Sequence, residues 1–338
     1  STRVRSSAAS DVYKRQGCCF PVAKYKIFIY ITMGALAVRP CLFKKVFYLS
    51  TMQNIQWFPG HMTKTKRKIQ ASLKLVDAVA EIVDARIPYS SRNPELDKLI
   101  GNKPRLILLN KCDMADSRET QRWIAYFQKT GKKAIAIDCK SGRGVSAFIP
   151  AVRQLLSDKI KKQAEKGITG RTISVMVVGI PNVGKSSFIN RMARKSRAKA
   201  EDRPGVTRGN QWYSIGQGFE ILDTPGVLWP KFDDPKVGEK LAFTGAVKDQ
   251  IIDVELLAVR LLEVLKVCPT DKFLARFKLL KEELAPLDGY ALLQLIAKKR
   301  GMLMAGGQAD TLRAANILLD EYRSAKLGTI TLERAENV

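Results

Sequence analysis

Four short apolar runs, each followed by polar or glycine-rich residues, mark the middle of the chain. They span residues 105–110, 135–137, 173–179 and 219–223. Runs of this length and setting are typical of strands buried in a parallel sheet. The carboxyl ends of such strands lie at one edge of the sheet, where ligands of α/β folds bind. The pattern therefore predicts an α/β domain whose ligand site is formed by the segments after the runs.

The pattern changes near residue 250, where apolar residues recur at helical spacing. The clearest cases are 252–267, 290–299 and 311–322. We expect most of their leucines to form a helical core rather than a groove for a partner. Because the chain of 338 residues is long for one core, we expect two domains. We place the α/β domain at 52–240 and a small all-α domain at 241–338.

Residues 1–51 fit neither domain. Their basic start, apolar stretch and small residues at 35–37 resemble a secretory signal, and their lack of acids resembles an organelle transit peptide. The apolar stretch of about a dozen residues is shorter than the ~20 that span a membrane. We prefer a third interpretation, a non-native or disordered leader left by cloning or a reading-frame error, with a native start at Met52. We then expect a cytoplasmic protein, whereas a genuine transit peptide would direct it to the mitochondrial matrix.

The composition is that of a globular protein, but its charge is unbalanced. Lysine and arginine number 58 against 32 acidic residues, which gives a net charge of +26. Most of the excess lies between residues 52 and 249. Such a charge favours a polyanionic partner, with nucleic acid first, although an anionic membrane or simple solubility would also account for it. The six cysteines lack C-x-x-C spacing and the chain has one histidine, which argues against structural zinc.

A glycine-rich loop separates the third run from a helix-like segment. Residues 179–187, GIPNVGKSS, match the phosphate-binding pattern G-x-x-x-x-G-K-S, in which backbone N–H groups face an anion. We expect Lys185 to neutralise the β- and γ-phosphates in binding and catalysis, and the Ser186 hydroxyl to ligate Mg²⁺. A chance glycine-rich turn is the alternative, which the flanking strand and helix disfavour. The predicted nucleotide-binding residues here are Asn182, Val183, Gly184, Lys185, Ser186 and Ser187.

The segment DTPG, residues 223–226, follows the fourth run. We expect Asp223 to hold Mg²⁺ through water, and the N–H group of Gly226 to contact the γ-phosphate in binding and catalysis. A D-x-x-G segment alone is a common turn. Its position after the phosphate loop, at the end of an apolar strand, favours the nucleotide interpretation.

The motif NKCD, residues 110–113, follows the first run and indicates the base. The carboxylate of Asp113 can accept two hydrogen bonds from guanine, at N1–H and the exocyclic amine, and adenine offers no such pair. The alternative, a surface turn, is disfavoured by the phosphate loop in the same chain. Residues after the second run are expected to border the base. The predicted base-binding residues are Asn110, Lys111, Asp113, Cys139 and Lys140.

The motifs occur in an unusual order. Most small GTPases have the phosphate loop first and the base motifs last, whereas here the base motifs at 110 and 138 come first. This is a circular permutation, which a sheet tolerates when the original termini lie close together. The chain leaving DTPG then enters the helical region directly. We therefore expect a movement that depends on the γ-phosphate to be passed to that region.

On these motifs, the chain resembles the ribosome biogenesis GTPase A family of permuted, ribosome-assembly GTPases. The resemblance covers nearly all of 53–335. It rests on WFPGHM (57–62), DARIPYSSRNP (84–94), NKCD, GIPNVGKSS, RPGVTRG (203–209) and DTPGVLWP (223–230). It implies a three-layer α/β P-loop GTPase domain with permuted motifs and a helical domain that contacts RNA. The chain departs from the family at Asp138-Cys139-Lys140, where such GTPases more often have Ser-Ala-Lys.

The resemblance also implies a function and a set of partners. These are GTP hydrolysis coupled to late maturation of the large ribosomal subunit, with contacts to ribosomal RNA. We expect GTP and GDP as ligands, Mg²⁺ as cofactor and K⁺ as activator. We expect no DNA or membrane partner, and a monomer away from the ribosome.

The group that handles the attacking water is not in its usual place. Many GTPases have a glutamine directly after D-x-x-G, but Val227 is apolar and cannot orient water. The resemblance offers His61 as the catalytic substitute, and a neutral imidazole can accept a proton or position water. His61 lies in a Pro-Gly loop ahead of a helix-like segment at 63–76. The alternative is that it only packs or caps that loop.

Two further residues and a basic cluster carry open interpretations. Asn182 is either a turn residue or, by resemblance to potassium-activated GTPases, a K⁺ ligand. Thr207 is the candidate switch threonine that closes on Mg²⁺ and the γ-phosphate during catalysis. A basic cluster around it is either a solvated face or a contact for a phosphate backbone. The cluster consists of Arg194, Lys195, Arg197, Lys199, Arg203 and Arg208.

Two other functions compete with a ribosome-assembly GTPase. One is a regulatory GTP-binding module that signals to a protein partner without RNA. The other is an ATPase, which the NKCD motif disfavours.

Overall fold

One seven-stranded sheet contains all the strands of the described residues in this computed structural model. The described residues are 60–168, 170–196, 200–201, 211–226, 228, 232, 234–247 and 253–337. The strands are β1 (Ala78–Asp84), β2 (Arg105–Asn110), β3 (Lys133–Ala136), β4 (Ile173–Val178), β5 (Ala200–Glu201), β6 (Trp212–Gly216) and β7 (Phe219–Asp223). Their order in the sheet is β3-β2-β1-β4-β7-β6-β5.

The five strands from β3 to β7 in this order are parallel, and β6 runs antiparallel to β7. Along β2, Leu106 and Leu108 pack into one core, and Ile107 and Leu109 pack into another on the opposite face. This alternation, with apolar residues on both faces, is what a strand covered by helices on each side requires. The three-layer α/β fold predicted from the sequence is confirmed.

Twelve α-helices lie in the described part of the chain. They are α1 (Gly60–Leu73), α2 (Pro94–Ile100), α3 (Ser117–Lys129), α4 (Phe148–Leu155), α5 (Ser157–Glu165), α6 (Lys185–Ser196), α7 (Pro235–Phe243), α8 (Val254–Leu265), α9 (Asp271–Phe277), α10 (Lys281–Leu284), α11 (Gly289–Lys299) and α12 (Thr311–Arg323). Aspartate side chains accept backbone hydrogen bonds at the start of several helices, among them α3, α8 and α12. These caps satisfy N–H groups that have no partner inside the helix.

The helical region after β7 has its own core, built from α7 through α12 and the residues that follow. Helix α7 contributes to both cores, because Leu241 packs with the sheet while Ala242 and Phe243 pack with the helices. The predicted boundary between residues 240 and 241 falls inside this helix, and the division of the chain into 52–240 and 241–338 stays a prediction. Residues 1–51 lie outside the described residues.

Candidate nucleotide site

A cleft of about 680 Å³ lies at the carboxyl edge of the parallel strands. The predicted nucleotide-binding residues line it, apart from Val183 and Gly226. They are Asn110, Lys111, Asp113, Cys139, Lys140, Asn182, Gly184, Lys185, Ser186 and Ser187. The cleft is also lined by Met114, Asn190 and Arg191, to which the sequence analysis gave no role. The phosphate loop and the base motifs therefore come together at one place in the fold.

The phosphate loop connects β4 to α6, which begins at Lys185. Gly184 has a φ of 100°, in the region that favours glycine, and a β-carbon there would overlap the side-chain amide of Asn110. Asn182 has a φ of 60°, the left-handed conformation that asparagine tolerates better than most residues. This geometry brings the backbone of the loop close to the NKCD motif.

Lys185 is buried at the base of the loop. Its Nζ donates to the carbonyl oxygens of Gly179 at 3.1 Å and Ile180 at 2.9 Å. Burial lowers the pKa of Lys185 to about 8, and the nearby charge of Asp223 opposes that shift. Burial raises the pKa of Asp223, while Lys185 acts in the other direction. The two groups therefore lie near each other in a weakly solvated environment.

The DTPG segment lies directly against the phosphate loop. A β-carbon at Gly226 would lie 2.7 Å from Nζ of Lys185 and 3.0 Å from the backbone nitrogen of Pro181. Only a residue without a side chain fits between these groups without displacing them. The half-buried carboxylate of Asp223 and the exposed hydroxyl of Ser186 provide the kind of oxygen donors that Mg²⁺ prefers.

The base motif contains a buried acceptor. Oδ1 of Asp113 is buried and has no hydrogen-bond partner among the described residues. Buried polar atoms without partners are rare in native proteins, and each calls for an explanation such as a ligand. The donors of guanine, N1–H and the exocyclic amine, match this acceptor chemically.

Asn110 and Lys111 connect the base motif to the phosphate loop. Nδ2 of Asn110 donates to the carbonyl oxygen of Val183 at 2.7 Å, and its Oδ1 accepts from the N–H group of Cys139 at 3.1 Å. Nζ of Lys111 donates to the carbonyl oxygen of Asn182 at 2.8 Å. A network of this kind fixes three loops from different parts of the chain relative to one another.

The loop after β3 is held by a residue that no motif contains. Arg191, on α6, donates from Nε to the carbonyl oxygen of Cys139 at 3.1 Å and also bonds the carbonyl oxygen of Lys140. Burial raises the pKa of Cys139 to about 12, so its thiol is unreactive at neutral pH. No sequence pattern predicted a role for Arg191, because it lies beyond the G-x-x-x-x-G-K-S motif of the phosphate loop.

Asp84 and Arg86 lie behind Lys111 and are almost fully buried. Arg86 donates from two nitrogens to the carboxylate of Asp84, at 2.9 and 2.8 Å, and Lys111 donates to the same carboxylate at 2.9 Å. Burial alone would raise the pKa of Asp84, but Arg86 and Lys111 hold it well below its usual range. Both residues belong to the motif DARIPYSSRNP (84–94), and no separate role was predicted for them from the sequence.

Residues 330–336, which we term the C-terminal segment, return to the neighbourhood of the base motif. The N–H group of Ile330 donates to the carbonyl oxygen of Met114 at 3.1 Å, and that of Leu332 to Arg86 at 2.8 Å. The buried carboxylate of Glu333 accepts from the N–H group of Tyr89 at 2.7 Å and from Nζ of Lys240 at 2.9 Å. The C-terminal segment thus contacts the residue that follows the base motif, the loop after β1 and helix α7.

Several predicted residues lie outside the described part of the structure. Helix α1 begins at Gly60, so the backbone of His61 belongs to its first turn rather than to a preceding loop. The side chain of His61 is outside the described residues, as are Thr207 and Val227. Of the basic cluster, Arg194 is exposed on α6, and the side chains of the other members lie outside the description.

Comparison with known proteins places the site in context. Residues 174–287 match the family model described as 50S ribosome-binding GTPase. The chain is 47% identical over 282 residues to ribosome biogenesis GTPase A of Bacillus cereus, covering 83% of this chain and 94% of that protein. It is 48% identical to the Priestia megaterium protein of the same name, covering 82% and 96%.

A solved structure has the same overall fold. The GDP-bound structure of TM YlqF is 30% identical, with a TM-score of 0.59, and the match covers 80% of this chain and all of that one. Within the part of our structure that is described, no helix is both long and apolar enough to cross a membrane.

Proposed function

We propose that this chain, which belongs to the ribosome biogenesis GTPase A family and is a GTPase, binds the large ribosomal subunit during late maturation under the control of its GTP state. The observation that supports this most is the buried, unpartnered Oδ1 of Asp113 in the same cleft as the phosphate loop. An acceptor there selects guanine, and the adjoining loop provides N–H groups and Lys185 for the phosphates. A nucleotide bound in this cleft would contact the phosphate loop and the base motifs at once, and the DTPG segment lies against that loop at Gly226.

The oxygen donors of Ser186 in the phosphate loop and Asp223 in the DTPG segment fit a magnesium ion. Ser186 would ligate it directly, Asp223 through water, and Thr207 would close on it in the GTP state. The ion would neutralise charge on the phosphates when bound. Lys185 and the N–H group of Gly226 are the groups of this chain that would stabilise the γ-phosphate during transfer to water.

We also propose K⁺ as an activator, held by Asn182. Nδ2 of Asn182 donates to the carbonyl oxygen of Gly245 at 2.7 Å, which leaves its Oδ1 as the oxygen donor for a cation. His61 would position the attacking water, since Val227 cannot. We further propose that the chain is cytoplasmic and monomeric away from the ribosome, with ribosomal RNA rather than DNA or a membrane as its polyanionic partner.

Co-sedimentation with large ribosomal subunits tests this proposal. We expect the chain to sediment with the particle in the presence of a non-hydrolysable GTP analogue, and to be released with GDP. Equal binding in both states, or capture of a protein partner in the GTP state without any particle, would contradict it. The second result would instead favour a regulatory module that signals to a protein.

A further inference from the structure

Two hydrogen-bonded routes run from the phosphate loop to one residue of the helical region, Arg323 at the end of α12. The first starts at the side chain of Asn182, which donates from Nδ2 to the carbonyl oxygen of Gly245. Gly245 follows the last turn of α7 and has a φ of 75°, which lets the chain turn back there. Arg323 holds that turn, because its Nε donates to Phe243 at 3.2 Å and its Nη2 to Ala242 at 2.8 Å.

The second route starts at the carbonyl oxygen of the same asparagine, which accepts from Lys111. Lys111 pairs with the buried carboxylate of Asp84, and Asp84 pairs with Arg86. Nη1 of Arg86 then donates to the carbonyl oxygen of Arg323 at 3.4 Å. The guanidinium of Arg86 also lies over the ring of Tyr322, 5.5 Å from its centre. The two routes close a ring that begins and ends at Asn182 and passes through Arg323.

We propose that Arg323 is a positioning residue for the phosphate loop, and that it couples nucleotide binding to the helical region. This inference rests on the proposed nucleotide function and adds the route by which it reaches the rest of the molecule. Since Asn182 is held on both its side chain and its carbonyl, a nucleotide that shifts or fixes Asn182 changes the free energy of both routes. The coupling is reciprocal. If guanine nucleotide changes the affinity for a ligand that displaces α12 by some factor, that ligand changes the affinity for guanine nucleotide by the same factor.

One link of this ring, the pair of Asp84 and Arg86, is deeply buried. Asp84 and Arg86 are each 1% exposed, and breaking one partner of a buried charged pair is strongly unfavourable. This pair is therefore unlike a surface ion pair, which contributes little, whereas the two hydrogen bonds of Asn182 are exposed. The guanidinium of Arg323 also matches the carbonyls at the end of α7 in charge, since the carboxyl end of a helix carries partial negative charge.

A double-mutant cycle on GDP dissociation tests the proposal. We expect Arg323→Ala and Asn182→Ala each to speed GDP release by about tenfold, within the usual range of coupling between sites. If both act through one ring, the double variant should release GDP no more than about twofold faster than Asn182→Ala alone. Arg313→Ala is the matched control, because Arg313 lies on the exposed face of α12. It should leave the release rate unchanged in either background.

Hydrogen exchange provides a readout that a merely structural role would not change. GDP should slow amide exchange in the last turn of α12 in the parent, and should fail to do so in Arg323→Ala while still protecting the phosphate loop. If Arg323→Ala does not fold, Arg323→Lys keeps the charge but loses the fork that bonds two carbonyls, and should give a smaller effect of the same kind.

The possible outcomes separate this inference from the proposed function. Rates that multiply in the double variant, with GDP still bound, would overturn the coupling and leave the nucleotide function intact. A parent chain that binds no guanine nucleotide would overturn the proposed function itself, and the coupling with it.

Discussion

Nδ2 of Asn110 donates a hydrogen bond of 2.7 Å to the carbonyl oxygen of Val183, 73 residues further along the chain. Asn110 belongs to the base motif and Val183 to the phosphate loop, so the bond joins the two ends of the nucleotide cleft. The base motif and the phosphate loop therefore remain in contact in the permuted order. The order of the motifs along the chain changes the connections between strands, while the contacts between the loops depend only on the positions of the strands in the sheet.

The low pKa of Lys185 predicts that nucleotide affinity depends on pH. Nucleotide phosphates favour the protonated amine, so the pKa of Lys185 rises in the complex from its value of about 8. Binding then takes up a proton above that pH, and affinity should fall as pH rises further, by up to about tenfold per pH unit. The measurement is the Kd for GDP as a function of pH. If the Lys185→Met variant shows the same dependence of Kd on pH, another group is responsible for it.

The motifs were predictable because they are local. Asp113, Lys185 and Asp223 are identified by residue type and spacing next to apolar runs, and each run is a strand at the expected place. The other contacts were not predictable, because they join distant segments without a local pattern. Arg191 donates to backbone carbonyl oxygens, which every residue has, so no residue type marks its partners. Glu333 lies in a short segment near the end of the chain, and no periodicity indicates that this segment returns to the base motif.

Glu333 should contribute substantially to stability. Its carboxylate is buried and joins α7 to the loop after β1. Glu333→Ala leaves Lys240 and two backbone N–H groups without this acceptor, and we expect a loss of about 3 kcal/mol in the free energy of unfolding. The matched control is Glu336→Ala, whose exposed ion pair with Arg122 should contribute less than about 1 kcal/mol. Urea unfolding of both variants measures this, and equal effects would contradict the buried role of Glu333.

The basic cluster predicts salt-dependent binding to ribosomal particles. Each lysine or arginine that contacts a phosphate should add about one unit to the slope of log affinity against log salt concentration. Replacing Arg194, Lys195, Arg197 and Lys199 by alanine should therefore flatten the slope. Replacing the exposed Lys161 and Lys162 of α5 removes charge elsewhere and should change it little. Binding that does not respond to salt would favour a protein partner.

His61 is predicted to act only in the transition state. His61→Ala should bind GTP and GDP as the parent does but lose particle-stimulated turnover, by about 10²- to 10⁴-fold. Replacing sodium by potassium should raise the rate of the parent, through Asn182, and should not rescue the variant. Full stimulated hydrolysis by His61→Ala would show that the backbone, the cation or the ribosome places the water, and that His61 only packs its loop.

If guanine nucleotide in this cleft controls particle binding, a change of base preference at Asp113 should change which nucleotide controls it. Asp113→Asn exchanges the acceptor for an amide, so the variant should lose affinity for GTP and gain affinity for xanthosine triphosphate, whose groups at that edge are exchanged. The parent supplies the control with the opposite preference.

The most direct measurement is co-sedimentation of Asp113→Asn with large ribosomal subunits in the presence of either non-hydrolysable analogue. We expect the xanthosine analogue to restore particle binding by the variant and the guanosine analogue to fail, and we expect the parent to show the reverse. Two results would contradict this expectation. In the first, particle binding by the variant responds to the guanosine analogue. In the second, the variant binds xanthosine nucleotide but its particle binding responds to neither nucleotide.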